Sequence, residues 1–181
     1  MNRFVMAITL GLAANLVGTS AYANGIINFE GSISGGTCPI EIINPGDNSP
    51  GGLVRMTPVH ASTFTAAGQE YAGKSFILRV KDGATCNVPE DGGTGTVTFS
   101  GKSETADSFA IIGGDDAAKG VAIAIRDATG TAIGSGVASA PYPLAEIGSS
   151  DMHFDAYYRS TTATVIAGSA SAAISYLVTI N

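Results

Sequence analysis

Two cysteines, two histidines and a few carboxylate pairs are the residues whose types could do chemistry in this chain. Cys38 and Cys86 are its only thiols. They lack the C-x-x-C spacing of a zinc or redox site, and only His60 and His153 are available to join them at a metal. In an oxidising compartment an even pair of thiols joins as a disulfide. Closing a loop of about 49 residues would stabilise the fold by roughly 4 kcal/mol in the chain-entropy model. Nucleophilic catalysis requires a base beside a Ser or Cys. Neither imidazole sits in a G-x-S-x-G, H-E-x-x-H or Walker-type setting. His153 lies on the face opposite Phe154 of an alternating segment, which turns it to solvent. Asp115-Asp116 after Gly113-Gly114 lack the further oxygen ligands that calcium takes, and read as a solvated turn. Asp91-Gly92-Gly93 reads the same way. The residues therefore point to no catalytic group, no metal and no cofactor: the chain does not read as an enzyme.

The compartment follows from the first residues. Met1-Asn2-Arg3 gives a short positive start, Phe4 to Val17 is almost wholly apolar, and Ala21-Tyr22-Ala23 supplies small residues at a cleavage site. These three parts define a secretory signal peptide over 1–23. Its apolar run is too short for a span of about 20 residues, and Gly, Ser, Thr and Asp interrupt every later run, so no integral membrane segment is expected in the mature chain. Removing Arg3 leaves 8 basic against 15 acidic residues, a mature charge of 8 − 15 = −7. Such an acidic surface repels phosphate backbones, which argues against nucleic acid as a partner.

The elements that must position these residues read as all-β. Gly is abundant at 24 residues, Trp is absent, and short alternating segments recur between Gly, Asp, Asn, Ser and Pro clusters. Ile27, Phe29, Gly31 and Ile33 share one face. Strands are expected over 40–43, 53–59, 75–81, 95–100, 121–126, 152–158 and 172–180. Pro58 marks 53–59 as an edge or a break. In the last strand Ile174, Tyr176, Val178 and Ile180 alternate against Ser175, Leu177 and Thr179. Asp127-Ala128-Thr129-Gly130 reads as a hairpin turn, and 44–52 and 134–143 as loops. Strands so spaced, without intervening helices, suggest a two-sheet sandwich. Both terminal segments are strands, so both present edges that something must cover.

In order, these segments resemble the chaperone–usher pilins, the fimbrial subunits of Gram-negative bacteria typified by type 1 and P pili. The resemblance runs along nearly the whole mature chain. Ile27 to Ile33 looks like the family's donor strand. Cys38 and Cys86 match its disulfide. Val97-Thr98-Phe99-Ser100-Gly101 resembles its V-x-F-x-G strand, and Gly120 to Asp127 resembles its G-V-x-I-x-I-x-D strand and turn. Met152 to Tyr158 resembles the strand ending in an aromatic. Gly168 stands fourteen residues from the end, where the family carries Gly. Ile180 replaces the family's penultimate aromatic, while Tyr176 lies two steps earlier on the same face.

The resemblance implies an incomplete immunoglobulin-like β-sandwich over 35–181, lacking its last strand and completed by donor-strand exchange. Such a gap exposes apolar surface and unpaired backbone groups, both costly in water. It implies a periplasmic pilus chaperone that lends a strand first, an outer-membrane usher, and neighbouring pilin subunits in a homo- or hetero-polymer exported to a surface fimbria that supports adhesion. The acceptor edge would carry Gly168, Ile174, Tyr176, Val178 and Ile180. The donor, 24–34, would insert Ile27, Phe29 and Ile33, with Gly31 allowing close backbone approach. Three such side chains contribute roughly 5–8 kcal/mol at about 1.5–3 each, before ordering costs. Periodicity alone leaves 27–33 equally consistent with a first strand pairing inside its own sandwich. The alternative function is a minor or tip-proximal subunit that itself binds a host or surface receptor. The absence of Trp argues mildly against a sugar site.

Overall fold

The structure is a computed structural model, and it describes residues 38–44 and 49–181. The expected signal peptide over 1–23 and the expected donor segment over 24–34, with Ile27, Phe29, Gly31 and Ile33, lie outside the described residues.

The strands follow β-branched and aromatic residues spaced two apart, the pattern of a pleat buried on one face. They are β1 (Ile40–Asn44), β2 (Ser49–Pro50), β3 (Glu70–Val80), β4 (Gly93–Ser100), β5 (Ser103–Thr105), β6 (Ser108–Ala110), β7 (Val121–Asp127), β8 (Ala132–Ile133), β9 (Tyr142–Leu144), β10 (Ser150–Ser160) and β11 (Ser175–Ile180). A single 3-10 turn over Ala61–Thr63 is the one helical element among the described residues. The larger sheet runs β2-β1-β3-β10-β7-β6-β5, with β8 also on β7; the smaller runs β11-β4-β9. Among the described residues every ladder is antiparallel.

The two inner faces meet in one core. Phe76, Leu78 and Val80 of β3, Met152 and Phe154 of β10, and Ile123 and Ile125 of β7 pack against Val97 and Phe99 of β4 and Tyr142 and Leu144 of β9. Phe154 is the hub: its ring lies 5.6 Å from Phe76, 5.1 Å from Phe99 and 5.3 Å from Tyr142. The Tyr142 hydroxyl donates to the His153 carbonyl at 2.6 Å and accepts from the Ala128 N–H at 3.0 Å, so its polar end is satisfied where the ring is buried.

The expected turn after β7 is present. The Gly130 N–H donates to the Asp127 carbonyl at 2.9 Å, and Gly130 takes φ of 79°, a backbone state glycine adopts without strain. The Asp127 side chain is buried and acts as the staple of this corner. It accepts from the Thr129 hydroxyl and from the N–H groups of Thr129, Thr131 and Ala140. Burial pushes its carboxyl pKa up, and these hydrogen bonds together outweigh burial and hold it below the usual range. On the outer face of the larger sheet, Arg126 grips Glu70 through two nitrogens at 2.9 and 3.0 Å. Arg79 does the same to Asp151 at 2.6 and 2.7 Å, lowering the Asp151 pKa.

Two expectations need correction. The segment 53–59 joins no ladder. Its alternation is real, since Val54 and Met56 pack against the core, but Pro58 has no N–H to give a ladder, so the pattern reports burial and not pairing. The reading of 44–52 and 134–143 as loops missed β2 and the start of β9. Those strands, like β5, β6 and β8, are two or three residues long, too short to show a period. Cys38 and Cys86 are disulfide-bonded, as expected.

Candidate functional site

The site is the edge that β11 forms in the smaller sheet among the described residues. Thr94 and Asn181 exchange both backbone hydrogen bonds at 2.9 Å. In an antiparallel ladder bonded and non-bonded pairs alternate. The groups of Ser175, Leu177 and Thr179 therefore point at β4, and the N–H and C=O of Tyr176, Val178 and Ile180 point away from it. The odd-numbered residues of β4 behave accordingly: the carbonyls of Val97 and Phe99 accept from Ser139 and Gly136 on the far side. Among the described residues β11 has one ladder partner, β4.

The side chains tell the same story. Ser175, Leu177 and Thr179 are exposed, while Tyr176, Val178 and Ile180 turn inward. Yet these inward residues are only half-buried, whereas their register partners Val97 and Phe99 are 0% and 3% exposed. Two rows facing one core should be equally covered in a finished sandwich. The row on β11 is not. A second half-buried apolar row, Val54 and Met56, lies along 53–59 and packs on the same core cluster, as do Ala172 and Ile174. At one end of the site a cavity of about 220 Å³ is lined by Met56, Val59, Phe64, Val121, Tyr158 and Ile166 among others.

Gly168 lines this cavity too, and has a local reason to be glycine. The stretch 166–171 runs beside 112–119, bridging Lys119 to Ile166, Ala117 to Ser169 and Ile112 to Ser171. A Cβ on Gly168 would sit 2.4 Å from both the Ala118 nitrogen and the Asp116 carbonyl oxygen. Backbone contacts that close leave no room for a side chain.

Among the described residues, the chemistry of the site is apolar shape plus backbone groups without a ladder partner. β11 carries no charged residue and no proline, the features by which natural edges discourage strand addition. Burial pushes the Tyr176 and Tyr158 hydroxyls above their usual pKa, so both stay neutral. The structure thus brings Ile174, Tyr176, Val178 and Ile180 to one inward face with Gly168 near its end. Sequence reasoning missed that Val54 and Met56 reach the same core from a segment without a ladder; the signal is their alternation along 53–59. His60 and His153 are exposed, and among the described residues no three His, Cys, Asp or Glu side chains are placed to hold a metal.

Comparison with known proteins fits this geometry. The fimbrial protein family profile matches residues 27–181. The chain is 28% identical over 179 residues to the probable major fimbrial subunit LpfA of Escherichia coli O157:H7, covering 97% of this chain and 95% of that one. It is 32% identical to the Burkholderia pseudomallei antigen and type I fimbria protein, with a TM-score of 0.56 over 77% of this chain and 87% of that one. The P pilus rod subunit PapA shares the fold, with a TM-score of 0.60 at 19% identity, over 80% of this chain and 99% of that one.

Proposed function

The chain belongs to the fimbrial protein family, and from that premise we propose that it polymerises by donor-strand exchange after capture by a periplasmic chaperone. The carrying observation is the unequal burial across the smaller sheet: Val97 and Phe99 are covered, Tyr176 and Val178 opposite them are half-open. A strand laid along β11 would cover that row and pair the outward N–H and C=O groups of Tyr176, Val178 and Ile180. This is strand addition to a sheet edge, in which main-chain bonds give affinity and alternate side chains give register.

The donor is the 24–34 segment of a neighbouring copy, or of a related subunit. Tyr176 carries the largest inward side chain of β11, so the donor residue facing it should be the smallest. Gly31 meets that need. With the donor antiparallel to β11, Phe29 then falls beside Val178, Ile27 beside Ile180 and Ile33 beside Ile174. Each apolar donor side chain finds an aliphatic neighbour. A periplasmic chaperone holds the same edge before assembly, and an outer-membrane usher hands the subunit to the fibre. The mature fibre lies on the cell surface and supports adhesion.

Phe29→Asp places a carboxylate in the groove of the neighbour and leaves its own acceptor edge intact. The expected outcome is normal recovery of the chaperone complex and no fibres by electron microscopy. Abundant fibres from this variant would sink the proposal.

A further inference from the structure

We infer that successive copies also meet body to body, with Ile147 of the copy that donates a strand seated against the Ile166 end of the copy that receives it. This rests on the strand-exchange reading and adds a second surface to it.

The sandwich has two ends. β10 runs from Ser150, opposite Val80, to Ser160, opposite Val121, and its 11 residues span roughly 35 Å at about 3.3 Å each. The entry end holds the disulfide between Cys38 and Cys86. There the Gly83 N–H donates to the Gly148 carbonyl at 3.1 Å, and the Gly148 N–H donates to the Asp82 carboxylate at 3.2 Å. The loop at 145–149 is thereby tied to the loop that the disulfide clamps. At its tip Ile147 is 78% exposed, the most exposed large apolar side chain among the described residues. β11 finishes at this same end, where Asn181 pairs with Thr94. At the opposite, exit end, Ile166 is 56% exposed on the rim of the apolar cavity.

Chain connectivity decides which ends meet. A strand added outside β11 continues an antiparallel sheet by running antiparallel to β11, the slightly more stable sense. It then lies beside Ile180 at its start and leaves the groove beyond Ile174, towards the exit end. Only residues 35–37 separate Ser34, the last residue of the proposed donor, from Cys38. Four Cα steps reach at most about 14 Å. The entry end of the donating copy, Ile147 included, is therefore leashed to the exit end of the receiving copy. Two exposed isoleucines sit on the two surfaces that this short leash brings together, and covering them removes apolar area from water. The contact is head-to-tail, so it repeats along the fibre without closing.

The test uses fibres of the full chain carrying Ile147→Cys and Ile166→Cys together, treated with a short bis-maleimide. A ladder of covalent multimers that survives boiling in denaturant is expected. Each single variant, and Ile147→Cys paired with Leu177→Cys on the outer face of β11, should boil down to monomer. If the double variant does not assemble, fibres mixed from the two single variants carry the test, with covalent dimers and nothing larger as the expected product, because each copy then has one reactive thiol. Double-variant fibres that form but give no ladder, mixed fibres that give no dimer, or either product formed equally with Leu177→Cys, overturn the contact and leave strand exchange standing. If even the unaltered chain forms no strand-exchanged fibres, the strand-exchange reading falls and the contact falls with it.

Discussion

Asp127 shows how much one residue does in this sandwich. Its carboxylate takes four hydrogen bonds at a buried corner, and its pKa is held below the usual range, as are those of Asp151 beside Arg79 and Asp107 beside the Thr105 hydroxyl and Arg159. Carboxylates with depressed folded pKa values add stability that is complete above the unfolded value near 4 and is lost as pH falls through the folded values. Urea unfolding of the donor-complemented protein should therefore show a plateau at neutral pH and a decline below about pH 4. Asp127→Asn should lower stability at neutral pH by about 1–3 kcal/mol by turning an amide donor towards N–H groups, and the gap to the parent should narrow in acid. An equal gap at all pH values would show that the charge is not what matters. Gly168→Ala should push the 166–171 stretch off 112–119, since a Cβ there meets backbone at 2.4 Å. A lowered unfolding midpoint is the expected reading. The position of Gly168 was legible in the sequence, but its cause was not, because the atoms it must avoid lie some fifty residues earlier, at Asp116 to Ala118.

At the scale of elements, the long strands were legible and the short ones were not. β3, β4, β7, β10 and β11 each repeat an apolar residue every second position long enough to be read. β5, β6, β8 and β9 are held by neighbours already in place, and two or three residues carry no period of their own. The 53–59 segment has the period but lacks a ladder, because its alternation reports Val54 and Met56 packing on the core. In a strand a slip of one residue reverses every side chain. Deleting Glu30 from the donor should thus turn Ile27 and Phe29 out of the neighbour's groove and abolish fibres. Deleting Phe29 and Glu30 together restores the alternation and should return part of the assembly. Quantifying fibres from the two deletions checks the point: equal yields would show that alternation does not govern assembly. Replacing both cysteines with Ser removes the clamp between the start of β1 and the loop after β3. The expected loss is about 2–5 kcal/mol, seen as weaker chaperone capture.

The whole molecule carries one asymmetry, a core covered from β4 and half-open at β11. A segment supplied from outside should finish it. The direct measurement removes residues 24–34 from the chain, isolates the subunit with its chaperone, and offers a synthetic 24–34 peptide in trans. Amide hydrogen exchange at Tyr176, Val178 and Ile180 reports on the outward N–H groups themselves. The predicted result is that peptide displaces chaperone, stays bound with one peptide per subunit, and leaves those three amides strongly protected. Peptide that fails to bind, or that binds while those amides exchange as fast as solvent-exposed ones, would contradict the account.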